Sequence, residues 1–276
     1  AAAPGPGHRV REPGMEGALR RLAAWRPHAA VVYGSGLWQR PAGARVEEEI
    51  PYDALGWPAG GVPGHDDVLR LAAVPGGAGG ELRLALACGR PHRYEGRSDE
   101  ELERPVRTLA SSGVRRLLLT NSCGALRPRA AVGRAAVCSA VVDLQRPPED
   151  ERPERLAVCP DAAAGRVAAA LGADALAGAA TYVAVCGPQF ETPAEAAWLS
   201  GYGDVVGMSA APEVRAAAAA GVDCCLVALV ANRAAAAGSH GDVLLAGRRL
   251  ARLLAAGLSR ILTARWPELA AAPGRE

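Results

Sequence analysis

Short apolar runs, each ending in a cluster of glycine and polar residues, recur through this chain and limit the architectures open to it. AAVVY (29–33) runs into Gly34-Ser35-Gly36, and LRLALAC (82–88) runs into Gly89-Arg90-Pro91-His92. VRRLLLT (114–120) opens into Asn121-Ser122-Cys123-Gly124. TYVAVC (181–186) leads to Gly187-Pro188-Gln189-Phe190-Glu191, and a shorter run ends at Gly207-Met208-Ser209. DCCLVALV (223–230) ends at Ala231-Asn232-Arg233. Apolar runs of this length, bounded by turn residues, read as buried strands. Helical spacing occupies 16–25, 161–171 and about 241–264, and a helix to about Ser112 is expected to carry Pro105 in its first turn. Thr192, Pro193 and Glu195 form a capping residue, a first-position proline and a third-position glutamate, which start another helix. Residues 144–156, rich in proline and charge, read as loop.

Strands alternating with helices, without a repeat, predict an α/β fold: a single domain with a central mixed β-sheet flanked by helices. In such sheets ligands bind at loops leaving the carboxyl ends of strands. Every polar cluster above falls at such an end. The expected domain spans 15–267, after an Ala/Gly/Pro-rich disordered leader (1–14) and before a frayed tail (268–276).

Composition narrows the function classes. The 276 residues carry a formal net charge of +2, half are apolar and 22% are charged. That is too apolar for disorder, and a near-neutral chain has no electrostatic call for nucleic acid or an anionic membrane. No stretch has the length and hydrophobicity of a transmembrane helix, and no signal-peptide pattern opens the chain. The seven cysteines show no metal-ligand spacing, so they are expected to be reduced thiols in a cytoplasmic protein, with no metal bound. All 31 basic residues are arginine, and Ala, Gly and Pro abound, the signature of a GC-rich coding sequence. Against that pressure the rare residues gain weight: Asn121 and Asn232 are the only asparagines, Phe190 the only phenylalanine, and Met15 and Met208 the only methionines.

The loop residues point to specific chemistry. Gly34-Ser35-Gly36 can present N–H groups and a hydroxyl to an anion, or form an ordinary tight turn. Its continuation Leu37-Trp38-Gln39 lacks the third glycine of a dinucleotide site. Arg90 can grip two phosphate oxygens and His92 adds a donor, with Ser209 and the Ser122 backbone completing a cradle. The alternative is a solvated arginine beside a surface histidine. Without a lysine or a P-loop, this is no triphosphate motor site. Phe190 offers a stacking face beside the Glu191 carboxylate, which can accept from the N–H groups of a heterocycle or simply complement a helix dipole. Asn232 offers an amide donor and acceptor. His65 and His240 lie in loops, where a lone histidine is most often merely solvated.

Taken together, these segments resemble the trimeric-type purine nucleoside phosphorylases of the nucleoside phosphorylase superfamily. The matching pieces are GSGL (34–37), IPYDALGWPAGGVPGH (50–65), GRPHRYEG (89–96), GVRRLLLTNSCGAL (113–126), YVAVCGPQFETPAEAAWL (182–199), VVGMSAAPEV (205–214), LVALVAN (226–232) and SHGDVLLAG (239–247), in the family's order. The resemblance implies a phosphate site of Ser35, His65, Arg90, His92, Ser122 and Ser209, and a ribose site of Tyr94, Met208 and His240. It implies a purine site of Cys123, Gly124, Phe190, Glu191 and Asn232, with His92, Glu191, Asn232 and His240 in catalytic roles. It further implies phosphorolysis of 6-oxopurine nucleosides with inversion, inorganic phosphate as co-substrate, no metal or organic cofactor, and a cytoplasmic homotrimer.

Five departures from the family pattern stand out. Ser139-Ala140-Val141-Val142-Asp143 replaces a usual Asp-His-(Ile/Leu)-Asn run, and no aromatic residue lies between Tyr94 and Tyr182, where a neighbouring subunit would lend a lid over the ribose. Trp38 follows GSGL where a small residue is usual and is expected to crowd the phosphate loop. Ala231 replaces a usual threonine, and the 232–240 loop is short, which displaces His240. The alternatives to an ordinary salvage phosphorylase are a specialised homologue acting on a modified nucleoside, a non-catalytic nucleoside-binding homologue, and a hydrolase, which the phosphate-gripping Arg90 and His92 disfavour.

Overall fold

The computed structural model describes residues 13–59, 61–76, 80–147 and 153–236, together with 247, 251–252, 254–258 and 261–262. The expected leader (1–14), tail (268–276) and last helix (241–264) fall mostly outside the described residues. Helix α1 (Pro13–Trp25) begins the described chain.

Ten strands among the described residues form one mixed sheet. The middle is parallel: β1 (Ala29–Tyr33) lies between β4 (Glu81–Cys88) and β5 (Arg116–Ala125). On one side β3 (Val68–Pro75) pairs antiparallel with β4, and β2 (Arg45–Pro51) with β3. On the other side the sheet closes on itself. Strand β5 pairs with β10 (Asp223–Arg233) and with β9 (Val205–Gly207). Strand β8 (Ala180–Ala184) joins β9 to β6 (Ala135–Asp143), and β6 returns to β10. The result is a five-strand ring with an open sheet leaving it at β5. Strand β7 (Glu154–Ala157) pairs with β6 outside this path.

Alternation of side chains gives the sheet two buried faces. Ala30 and Val32 of β1 point into one core with Leu117, Leu119, Leu226 and Ala228, while Val31 and Tyr33 point into another with Leu118, Val227 and Leu229. The first core is covered by α1, α2 (Asp99–Ser111) and α5 (Ala211–Ala219), through residues such as Leu22, Leu109 and Val214. The second is covered by α3 (Asp161–Leu171) and the described residues of the last helix, Leu254, Leu258 and Ile261. The fold class expected from the sequence is therefore the one found.

Three local expectations need correcting. Pro105 sits inside α2, not in its first turn: the helix starts at Ser98, whose hydroxyl caps the Glu101 amide while Glu101 returns to the Ser98 amide. That reciprocal cap, reinforced by acidic residues in the first turn, sets the start upstream of the proline. Asn121–Gly124 is strand, because β5 continues to pair with β10 as far as Ala125, across a register shift between Val230 and Asn232. Part of the expected loop 144–156 is β7, which borrows its pairing from β6.

Candidate active site

The carboxyl ends of β1 and β4, the last residues of β5 and β10, and the segments following β8 and β9 enclose one cavity. Its lining includes Ser35, Arg90, His92, Tyr94, Ser122, Cys123, Gly124, Phe190, Glu191, Met208, Ser209 and Asn232. These are all the sequence-derived candidates except His65 and His240. His65 touches the lining: its Nε2 lies 3.0 Å from Ser35 Oγ, and its ring stacks on His92 with centroids 5.5 Å apart. His240 lies outside the described residues.

One wall is a cluster of hydrogen-bond donors. Arg90, which is buried, donates from Nη1 to Ser209 Oγ at 3.2 Å and from Nη2 to the Val32 carbonyl at 3.3 Å. Its Nε lies 3.2 Å from the Glu213 carboxylate, which is also buried. A guanidinium anchored on three sides keeps its plane fixed while each Nη still holds a second hydrogen. Ser209 Oγ also accepts from Asn121 Nδ2 at 3.2 Å. With two donors already on that oxygen, the Ser209 hydroxyl hydrogen is available to the cavity.

A second relay follows from the His65 ring. Its Nδ1 accepts from the Arg90 amide at 3.3 Å, so in the neutral tautomer the proton sits on Nε2 and is donated to Ser35 Oγ. The Ser35 hydroxyl hydrogen is thereby directed elsewhere. Gly89, at φ +130°, makes this approach possible, since a Cβ there would come within 2.9 Å of His65 Cβ. Ser122 Oγ is buried against the cavity with no hydrogen-bond partner, as is Asn121 Oδ1. His92 is held by Glu95, whose Oε1 accepts from its amide at 2.8 Å and lies 3.2 Å from its Nδ1. Tyr94 stacks on the other face of His92, 4.8 Å away. This wall suits an oxyanion with several acceptor atoms.

The facing wall suits a flat heterocycle. Phe190 is 38% exposed, in keeping with a ring that has an open face at the cavity. Glu191 is half-buried, and burial pushes its carboxyl above the ordinary glutamate value. The helix start expected at Thr192 is present: Thr192 and Glu195 form a reciprocal cap for α4 (Pro193–Leu199), fixing the chain immediately after Glu191. Asn232 lies near the end of β10 opposite Gly124, with its Nδ2 donating to the Arg233 carbonyl at 2.9 Å. Met208 is brought in by Gly207, which lies so close to the Tyr182 hydroxyl that no side chain fits there. Tyr182 is fully buried and accepts from the Ser209 amide at 3.4 Å.

Trp38 does not crowd this cavity. Its ring meets Tyr33 edge to face at 5.3 Å, with the Arg70 guanidinium 4.5 Å above it. It packs on the second core beside the buried Leu37, so the bulk expected at the phosphate loop lies away from the cavity. The residues missed by the sequence reading are Glu213, Glu95 and Tyr182, which hold Arg90, His92 and Ser209 from behind. Asn121 carried a signal, as one of two asparagines in a chain biased against them. Among the described residues, no group of three or more His, Cys, Asp or Glu side chains could hold a metal ion, and no helix is long and apolar enough to cross a membrane.

Comparison with known proteins agrees with this geometry. The Phosphorylase superfamily profile matches residues 76–263. A purine nucleoside phosphorylase of Cellulomonas sp is 34% identical over 239 residues, covering 82% of this chain and 84% of that protein. The Mus musculus purine nucleoside phosphorylase is 30% identical over 260 residues, covering 86% and 88%. Among solved structures, the Schistosoma mansoni purine nucleoside phosphorylase in complex with inosine superposes with a TM-score of 0.72 at 25% identity, covering 92% of this chain and 95% of that one.

Proposed function

Because this chain belongs to the purine nucleoside phosphorylase family of the phosphorylase superfamily, we propose that it cleaves purine nucleosides with inorganic phosphate, prefers 6-oxopurines, and inverts the anomeric carbon. The observation that carries the reading is that the donor wall around Arg90 and Ser209 and the Phe190–Glu191 wall line one cavity.

The reaction breaks the C1′–N9 bond and forms a C1′–O bond to phosphate. The bonding pair leaves with the purine, which takes up a proton, and positive charge builds on the ribosyl ring. A phosphate held by Arg90, Ser209, Ser35, Ser122 and His92 faces that cation from the side opposite the base, stabilises it, and captures it with inversion. The phosphate donors act before any charge moves, so they cost no reorganisation at the moment of reaction. On the base side Glu191 accepts from N1–H of a 6-oxopurine, and Asn232 donates to N7 or O6 as negative charge grows there. The amide must first leave the Arg233 carbonyl. Each donor aimed at developing charge is worth about 3 kcal/mol. Tyr94 and Met208 border the space between the two walls, where the ribose would lie.

The same reading includes a cytoplasmic location, for which the free cysteines offer support, and activity without metal or organic cofactor. It also includes a homotrimer, which the exposed Trp198, stacked edge-on against Tyr202 just beyond Glu191, supports as an apolar contact point. The test is hypoxanthine release from inosine, followed with and without phosphate and with arsenate in its place. Release that requires phosphate or arsenate is expected. Release without either would make the enzyme a hydrolase, and binding without release would make it a nucleoside-binding protein.

A further inference from the structure

At the opposite rim of the sheet, where β1, β4 and β5 begin, a second cleft of about 530 Å³ opens. Its walls come from the end of α1, the starts of β1 and β5, and the C-terminal turn of α2. The charged and titratable groups lining it are Arg26, His28, Arg83 and Arg115, and no Asp or Glu lines it. Elsewhere in the described residues thirteen arginines pair with a carboxylate. The three in this cleft make no such pair. Among the described residues Arg40, Arg116, Arg134, Arg155 and Arg233 also make no such pair, but this cleft brings three such arginines to one concavity.

The local geometry presents donors. The Arg83 amide donates to His28 Nδ1 at 2.9 Å while the His28 amide donates to the Arg83 carbonyl at 2.7 Å. That reciprocal pair leaves the neutral His28 proton on Nε2, so the ring too offers a donor. Burial and the Arg83 cation both push the His28 pKa down, as expected where positive charge is uncompensated. Arg83 Nε is buried without a hydrogen-bond partner. Arg115 is steadied from one side, its Nη1 donating to the Ala110 and Val114 carbonyls at 3.2 and 3.1 Å. Arg26 stands at a corner held at φ +49°, a conformation uncommon for a residue with a side chain. Three arginines lining one cleft with no carboxylate among its lining residues repel one another, and an external anion relieves that repulsion.

We propose that this cleft is a second ligand site, for a small molecule carrying a diphosphate group. Its volume is within the range of small-molecule sites, and planar guanidinium groups bind phosphate oxygens in pairs. The five-residue length of β1 separates it from the catalytic cavity by roughly 17 Å, so a single small ligand cannot bridge the two. Inorganic pyrophosphate titrated into the full chain by calorimetry, in phosphate-free buffer at low ionic strength, tests the assignment. Apart from binding in the catalytic cavity, which Ser35→Ala/Ser209→Ala weakens, one saturable site is expected that persists in that double variant and is weakened at least tenfold by Arg83→Gln and by Arg115→Gln separately. Arg115 is exposed, so its variant carries the test even if Arg83→Gln unfolds, which circular dichroism reports. ADP binding tighter than pyrophosphate would assign a nucleotide, and equal binding an inorganic diphosphate. No binding, or binding that falls in Ser35→Ala/Ser209→Ala and not in the arginine variants, overturns the proposal.

Discussion

Arg90 and Ser209 lie 119 residues apart in sequence, yet the guanidinium Nη1 donates to the serine hydroxyl at 3.2 Å deep inside the protein. The contact joins the end of β4 to the end of β9 across β1 and β5, and thus ties the open sheet to the closed ring. Glu213, in the first turn of α5, fixes the far side of the same guanidinium. The anion wall is therefore assembled by tertiary structure from four separate segments and needs no contiguous motif.

Arg90 consequently has two separable roles. Arg90→Gln should lower kcat/KM for phosphate by about 100-fold or more, the scale of losing a charged donor at the reacting group. It should also destabilise the fold by about 3 kcal/mol, because Glu213 is left buried without its partner. In Arg90→Gln/Glu213→Gln the stability should largely return while activity stays low. Urea unfolding and phosphate-dependence assays on both variants check this, and a double variant no more stable than the single one would refute the pairing.

Glu191 should behave in the opposite way, since burial already disfavours its charge. Glu191→Ala should lose about 100-fold in turnover of inosine, with the melting temperature unchanged or raised. Near-wild-type turnover would remove Glu191 from the base site.

The pH profile carries the sign of that burial. Because the carboxyl titrates above the usual glutamate value, it takes up its proton at a higher pH than an exposed glutamate would. Recognition of N1–H requires the anion, so kcat/KM for inosine should fall as pH drops through the raised value. Glu191→Gln should be slow at every pH and lack this limb. A variant profile that keeps the same acid limb would assign the titration to another group.

Much of this site was legible in the sequence because its residues sit in short loops where polar type and position coincide. Ser35 and Arg90 follow the ends of β1 and β4 by two residues, Asn232 is the next-to-last residue of β10, and Glu191 lies in the segment after β8, and a strand end is readable from an apolar run followed by glycine. What was not legible is the support behind them. Glu213 looks in sequence like any first-turn glutamate of an alanine-rich helix, and only the fold turns it onto Arg90. Strands β2 and β3 were missed because RVEEEIP alternates charge with weakly apolar residues, and its pairing depends on the partner strand. Pro105 was misplaced because the strong cap at Ser98, seven residues earlier, outweighed the local preference of one residue. Trp38 was misjudged because a bulky residue near a glycine loop was assumed to face the loop, when the segment after β1 packs it against Tyr33 and the second core.

Gly207 provides a steric test of how Ser209 is positioned. A Cβ at this position would overlap the Tyr182 hydroxyl, and the Tyr182 ring is fully buried and cannot retreat. Gly207→Ala should therefore shift Met208 and Ser209, cost about 1–3 kcal/mol, and reduce kcat/KM by at least tenfold. Tyr182→Phe removes the obstructing oxygen, so it should restore part of the activity of Gly207→Ala. If the second substitution makes the first no better, the glycine is required for another reason.

Asp204 anchors the strand that carries Met208 and Ser209. Its carboxylate accepts from Arg129 Nε at 2.7 Å, from Arg129 Nη2 at 2.5 Å and from the Thr181 amide at 2.9 Å, while its carbonyl accepts from the Leu126 amide. Burial pushes this carboxyl up, but the Arg129 guanidinium and the Thr181 amide outweigh it and hold the group below the ordinary aspartate value. A carboxyl lowered on folding adds stability that is complete above its unfolded value of about 3.9 and disappears as pH falls through the folded one. Asp204→Asn keeps the shape but turns an amide N–H toward a guanidinium or the Thr181 N–H, and should cost about 3 kcal/mol at neutral pH. Thermal melts of both proteins from pH 7 downward should show a constant gap to about pH 5, then a narrowing gap as the wild-type carboxylate is protonated. A gap that stays constant to the acid limit of folding would mean that packing, and not the ion pair, sets the role of Asp204.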